Sequence, residues 1–516
     1  MVLLRIGVFA LIALAISFAP PARAQWLKAE SPRFVIYSDA SENDLRRYTQ
    51  ELESLESLLR ALHGLPMRGV PDRPLDLYLV RNHASMKRIR PNLSDSIAGF
   101  YTSSTDTIFA IGLHGRERNA RATGERANQD QIMRHEYVHH FMLQHFPYGY
   151  PGWLVEGYAD YFMTANILPD TIEIGHISPA RASWLGRESM PLERVLSSSA
   201  WSFSDRDDVA RFYAKAWHMT HYMVSDPDRY KQLIAYMGRV AEGGDPVKAM
   251  EETTDRSIAE LERELRGYQR LTYRRYPTTS IPRVEVAVRR LTPGEEALVL
   301  EDVRLRLITR RAESDDLLNR VRDRAGRHPD DLFARKVLAR AEIRLGDAAV
   351  GEQALRDILA DHPDDVDVLQ LLAARVSERS EEADYDQAQA LRLEANALLA
   401  RAYGAAPKHY PTLLAIARTS EPLSDNSAEA YLAALEIAPQ VGALRMEAAS
   451  VMLARGDLDH GEHLLQPLIH SPHAGSAAAA ARQMIEHARA GGASTLIKVQ
   501  EGEEGDEDGE ANPPAS

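Results

Sequence analysis

The sequence predicts two folded units in series, an α+β domain followed by an all-α array of helical repeats. Three observations lead there. Over roughly the first 270 residues, strand-like alternation comes first and helical periodicity second, without βαβ alternation. From about residue 312 prolines punctuate helical segments: Pro329, Pro363, Pro407, Pro439 and Pro472 stand 34, 44, 32 and 33 residues apart. Finally, 516 residues exceed what one ordinary core fills. The composition, 44% hydrophobic and 26% charged, is that of a soluble globular chain.

Residues 1–24, "MVLLRIGVFALIALAISFAPPARA", carry a positive charge at Arg5, an apolar run from Ile6 to Phe18, and a small-x-small site at Ala22-Arg23-Ala24. This pattern predicts a secretory signal peptide, a mature chain beginning at Gln25 with no membrane span, and export to a periplasm or the medium. An uncleaved membrane anchor is the other reading. The chain has no cysteine, which excludes disulfides, thiolate ligands, a cysteine nucleophile and a lipidated cysteine. Any metal site must therefore be built from His, Asp and Glu. The formal charge of −14 becomes −16 without Arg5 and Arg23, so nothing marks the chain for nucleic acid.

Residues 25–275 form the expected α+β domain. "RFVIYSD" reads as a strand, and Leu45–Leu62 as an amphipathic helix with apolar residues at 45, 52, 55, 58, 59 and 62. "PLDLYLV" is a second strand, and "GFYTSSTDTIFAIGL" (99–113) reads strand, polar turn, strand. Helical texture then runs from Gln129 to about Tyr268. The bridging stretch 276–311, "IPRVEVAVRRLTPGEEALVLEDVRLRL" included, has strand-like alternation and is left as a linker.

Residues 312–490 read as helix pairs such as "LFARKVLARAEIRLGDAAVGEQALRDILADHP". A turn recurs as "LGD" at 345–347 and "RGD" at 455–457. The period and the glycine turn resemble the tetratricopeptide repeat family, with a longer interval around "RSEEADYDQ". That resemblance implies a concave surface for a peptide or protein partner; a packing appendage is the alternative. Residues 491–516 are an acidic tail with too little apolar surface to fold.

The chemistry lies in "QIMRHEYVHHFMLQH" (131–145). His135-Glu136-Tyr137-Val138-His139 fits H-E-x-x-H, which puts both imidazoles on one helical face, with Glu136 about 100° away. Chance alone yields about 0.05 such motifs in this composition, which makes the motif suggestive only. A second helix adds weight: in "PGWLVEGYADYF", Glu156 and Asp160 are again four apart. Glu156 can supply a third ligand, leaving a fourth position for water, and Asp160 can accept from the distal nitrogen of a ligating histidine. His140 lies off the ligand face, His145 suits the helix C-terminus, and His218 reads as a surface or core residue.

H-E-x-x-H followed by W-x-x-E-G-x-A-[DE]-Y is similar to the gluzincin zinc metallopeptidases, the thermolysin-like group. It resembles most closely the secreted bacterial members whose peptidase domain precedes tetratricopeptide repeats. The resemblance covers about residues 30–270, its specific part being 132–162. It implies a zincin-like fold, one Zn2+ per chain held by His135, His139 and Glu156, and Glu136 as general base. It also implies a tyrosine on a later helix that binds the oxyanion, for which Tyr213 in "RFYAKAWHMTHYM" is the candidate and His221 the weaker one. In this family an edge strand before the catalytic helix pairs with substrate, and 99–113 stands in that order. Two features depart from the pattern: Asp160 stands where glutamate is common, and the spacing to Glu156 is shorter than in aminopeptidases.

The expected activity is hydrolysis of peptide bonds by a zinc hydrolase, with the repeats binding substrate or partner. Two rivals remain: a non-catalytic partner-binding protein with a degenerate peptidase domain, and zinc-dependent hydrolysis of another bond. Endo- or exo-cleavage, substrate and oligomeric state stay open.

Overall fold

The structure is a computed structural model that describes residues 25–69, 73–95, 97–114, 125–185, 189–199, 202–307, 315–471, 475–492 and 496–497. The leader 1–24 lies outside them, as do Pro472 and the tail from 498 onward. No helix among the described residues is long and apolar enough to cross a membrane.

The front of the chain builds a mixed sheet. Strands β1 (Leu27–Glu30) and β2 (Phe34–Ser38) pair antiparallel, and helix α1 (Glu42–Leu62) then leads to β3 (Leu75–Val80). β2 and β3 are parallel, so β2–α1–β3 is a βαβ crossover. The expectation of no such alternation is thus corrected: the apolar face of α1 needs a sheet face to cover, and a crossover supplies it. Ser41 caps α1 by accepting from the Asp44 amide. After α2 (His83–Lys87), the hairpin β4 (Gly99–Ser103) and β5 (Ile108–Leu113) completes the order β4-β5-β3-β2-β1, with β5 parallel to β3 and β4 antiparallel at one edge.

Strand periodicity sorts the side chains to two faces. Leu75, Leu77, Leu79, Ile108 and Ala110 enter one core with α1; Tyr78, Val80, Phe109, Ile111 and Leu113 enter another on the opposite side. Below the first face lie α3 (Glu125–His145) and α4 (Gly152–Met163). A second sheet follows from β6 (Asn166–Ile167) and β7 (Thr171–Ile174). Next come α5 (Pro179–Leu185), α6 (Leu192–Leu196), α7 (Arg206–Val224), α8 (Pro227–Ala241), α9 (Pro246–Thr254) and α10 (Ile258–Gly267). Strand β8 (Arg274–Pro277) then pairs with β7.

The bridging stretch is part of the fold. Strand β9 (Ala287–Arg290) pairs with β1 at the far edge of the first sheet. Helix α11 (Pro293–Leu307) follows, and its Val299, Leu300 and Val303 cover the second face of that sheet. The apolar stretch "ALVLEDVRL" is thus helix, because the exposed side of the sheet needs a cover.

Helical hairpins follow from α12 (Asp315–Gly326): α13 (Leu332–Leu345) with α14 (Ala348–Asp361), and α15 (Val366–Glu382) with α16 (Tyr385–Ala405). Next are α17 (Tyr410–Thr419) with α18 (Asp425–Ile437), then α19 (Gly442–Ala454) with α20 (Leu458–Ile469), and α21 (Gly475–Arg489). The recurring Gly-Asp turn has a physical reason. Gly456 takes φ +83°, which ends one helix, and Asp457 caps the next by accepting from the His460 amide; Asp347 caps α14 the same way. The longer proline interval is spent on helices of 17 and 21 residues, α15 and α16.

The array does not stand apart from the front domain. Tyr410, Leu413, Val441, Leu444 and Met446 share one continuous buried cluster with residues of α3, α4 and α7.

Gly157 decides how closely α4 and α7 approach. A Cβ there would lie 2.4 Å from the Ala216 carbonyl oxygen and 2.3 Å from the Thr220 hydroxyl. Gly157→Ala should therefore push the helices apart and cost about 1–3 kcal/mol, read as a lower urea midpoint at unchanged slope.

Candidate metal centre

Two helices bring the ligand candidates together. α3 carries His135 and His139 on one face, and the Pro147 to Pro151 turn reverses the chain so that α4 presents Glu156 and Asp160 to that face. The His135 and His139 Nε2 atoms are 3.0 Å apart, and the Glu156 Oε2 atom is 3.3 and 3.6 Å from them. All three side chains are buried. Tetrahedral bonds of about 2.0–2.1 Å would set ligand atoms roughly 3.3 Å apart, so this triangle has the dimensions of three sites on one zinc ion. The donor set of two imidazoles and one carboxylate suits that ion.

Asp160 stands behind His135. Its Oδ1 accepts from His135 Nδ1 at 3.1 Å, which turns Nε2 toward the shared point. The shorter carboxylate thus reaches the imidazole, and a residue that the sequence did not single out secures it. Arg181, from α5, donates from Nε to Asp160 Oδ2 at 2.6 Å and from Nη2 to Oδ1 at 3.1 Å. No local signal in "ISPARASW" marks Arg181, since its partner is 21 residues away and on another element.

The charges respond to one another. Burial alone would lower the His135 imidazole, but the Asp160 and Glu156 carboxylates hold it far above its ordinary value, at about 10 in the metal-free chain. Burial alone would raise the Asp160 carboxyl, yet Arg181 and His135 keep it below its ordinary value.

Tyr213 sits beside this group on α7. Its hydroxyl faces the Glu156 carboxylate, and burial and then the Glu156 charge push it well above its ordinary value. The Arg181 guanidinium lies 4.5 Å from the centre of the Tyr213 ring, and the His135 ring centre is 6.3 Å away. His221 is not brought to the group. Its Nδ1 meets the Tyr268 hydroxyl and its Nε2 the Thr272 carbonyl, each at 2.9 Å, and burial lowers it to about 4.

Glu136 remains partly exposed, unlike the three ligand candidates. Burial raises the Tyr101 hydroxyl above its ordinary value, and the Glu136 charge adds to that shift. The other histidines of the motif have structural partners. His140 Nδ1 is 3.1 Å from the Tyr101 hydroxyl and 3.4 Å from Gln440 Nε2. Burial pushes this imidazole down to about 3. His145 joins Glu56 and Arg60 of α1 in a buried polar cluster that also includes the Tyr137 hydroxyl. His218 is buried, with Nε2 on the Tyr268 carbonyl at 3.0 Å.

Arg181→Ala would leave Asp160 buried without its guanidinium fork. A loss of about 3–5 kcal/mol is expected by chemical denaturation, with Arg181→Lys recovering part of it.

No protein-family model matches the sequence, and no curated protein matches it. Among solved structures, the chain is similar to the crystal structure of a thermophilic TPR protein from Thermus thermophilus, at 19% identity and a TM-score of 0.29. That similarity covers 34% of this chain and 90% of the other.

Proposed function

We propose that the front domain is a zincin-like, zinc-dependent peptidase of the gluzincin type, exported by its leader, and that His135, His139 and Glu156 hold one Zn2+ per chain. The observation that carries this reading is the convergence of three buried donor atoms within 3.0–3.6 Å, with Glu136 one residue from a ligand and partly exposed.

Bound zinc would supply Lewis acidity, bringing the pKa of a water toward about 7 and polarising the scissile carbonyl. Glu136, one residue from a ligand candidate and partly exposed, is the group that would take a proton from the attacking water and pass it to the leaving amine nitrogen. Asp160 keeps the His135 proton on Nδ1, and Arg181 keeps Asp160 in place. Tyr213, whose hydroxyl stays protonated, donates to the developing oxyanion once a substrate draws it from Glu156. The outer side of β4 offers main-chain groups to an extended peptide, in the manner of strand addition.

Two results test this reading. About one zinc per purified chain is expected by elemental analysis, and Glu156→Ala should lose it or bind it much more weakly. Glu136→Gln should keep the zinc and lower peptide hydrolysis by about 10²–10⁴-fold. A chain that takes up no zinc under any loading condition would favour the second reading, a partner-binding protein that works through its repeats.

Zinc uptake must displace the proton that the carboxylates hold on His135. Because that imidazole is held up to about 10, apparent affinity should rise with pH through the neutral range. The expected slope is about tenfold per pH unit between 6 and 8 for one displaced proton, measured by competition with a chelator of known affinity.

A further inference from the structure

We propose that the helical repeats form a docking surface for the chain's own β4–β5 turn, and that through it the repeats fix the β4 edge of the sheet beside α3. The docking stands on contacts within the chain; only its consequence for substrate rests on the peptidase reading.

The turn is closed by its own hydrogen bonds and carries one carboxylate, Asp106. The Ser104 amide donates to the Thr107 carbonyl at 2.8 Å, and the Ser104 hydroxyl accepts from the Asp106 and Thr107 amides at 3.3 and 3.1 Å. These bonds satisfy the turn internally, while Ser103, Ser104 and Asp106 are held out to the repeats.

Three separate points along the array receive it. The Arg344 guanidinium of α13 pairs with the Asp106 carboxylate. The Tyr410 hydroxyl at the start of α17 donates to the Ser104 carbonyl at 3.0 Å. The Ser103 hydroxyl donates to the Gln440 carbonyl, in the turn between α18 and α19, at 3.0 Å. The Gln440 side chain also reaches α3, where it donates to Gln144 and lies 3.4 Å from His140 Nδ1. His140 follows the ligand candidate His139 directly, and it also meets Tyr101 of β4. Strand, helix and repeats therefore join at the His140 imidazole.

Charge specifies the docking. Lys336, Arg340 and Arg344 lie at i, i+4 and i+8 of α13, so they form one stripe. Lys336 is 3.0 Å from Asp365 and 3.2 Å from Asp367, and Arg340 is 3.2 Å from Asp302. Those carboxylates come from α11 and from the start of α15, whereas the carboxylate for Arg344 comes from the hairpin turn. Burial alone would raise the Asp106 carboxyl, yet Arg344, Arg340 and Arg306 hold it below its ordinary value. The surface thus fits a tight turn that carries a carboxylate, and the chain supplies that turn itself.

Hydrogen exchange on the full chain tests the docking without reference to catalysis. The double variant Asp106→Asn/Tyr410→Phe removes the charge and one hydroxyl with little change of shape. Amides of residues 99–103 should exchange about tenfold faster, while those of Glu42–Leu62 keep their wild-type rates. Exchange of β4 within about twofold of wild type would overturn the proposal. So would equal acceleration in both segments, which would mean general packing and no specific hold on the edge. If the double variant does not fold, Gln440→Ala is measured by the same two segments and the same criteria.

The two readings fail separately. Docking predicts the exchange pattern even in a chain that holds no zinc and cleaves nothing. In a chain that does cleave peptides, the double variant should raise KM severalfold at unchanged zinc stoichiometry, and an unchanged KM would remove the link to substrate.

Discussion

Two carboxylates, Glu156 and Asp160, are buried one turn apart on α4 with no access to water, and the architecture around them follows from that. An unpaired buried charge is costly enough to neutralise itself or unfold its surroundings. Here the compensation comes from separate parts of the chain: imidazoles from α3, a guanidinium from α5 and a phenol from α7. Each must sit within hydrogen-bond range, so the crossing of α3 and α4 and the close approach of α7 at Gly157 have little freedom. The Arg181 guanidinium and the proton held on His135 stand against the carboxylates of Glu156, Asp160 and the nearby Glu136, so acidic groups outnumber basic ones here.

The surrounding fold holds this crossing from both sides. Behind α3, the cluster of Glu56, Arg60, Tyr137 and His145 ties the helix to α1. Burial alone would raise the Glu56 carboxyl, but His145, Tyr137 and Arg60 keep it below its ordinary value. On the β4 side, His140 meets Tyr101 and Gln440. The histidine-rich helix thus divides its residues by direction: 135 and 139 toward α4, 140 toward the sheet edge and repeats, and 145 toward α1.

The helical array does more than follow the front domain in sequence. The helix that leads into it, α11, covers a face of the first sheet, and its later hairpins share a core with α3, α4 and α7. A partner that uses the repeats meets a surface already engaged near Arg344, Tyr410 and Gln440.

Local chemistry was legible in the sequence because it depends on spacing along one helix. H-E-x-x-H places two imidazoles on one face wherever that helix lies, and the same rule places Glu156 above Asp160. Strand alternation, the helix 45–62 and the Gly-Asp turns were legible for the same reason, since caps and periodicities act within a few residues. Tertiary structure alone decided what depends on distant partners. Arg181 reaches Asp160 from 21 residues away, and β9 pairs with β1 across some 260 residues of chain. The parallel pairing of β2 with β3, the displacement of His221 from the centre and the seat of Asp106 against Arg344 belong to the same group. No periodicity encodes these contacts, because burial and charge compensation select them only after the elements have packed.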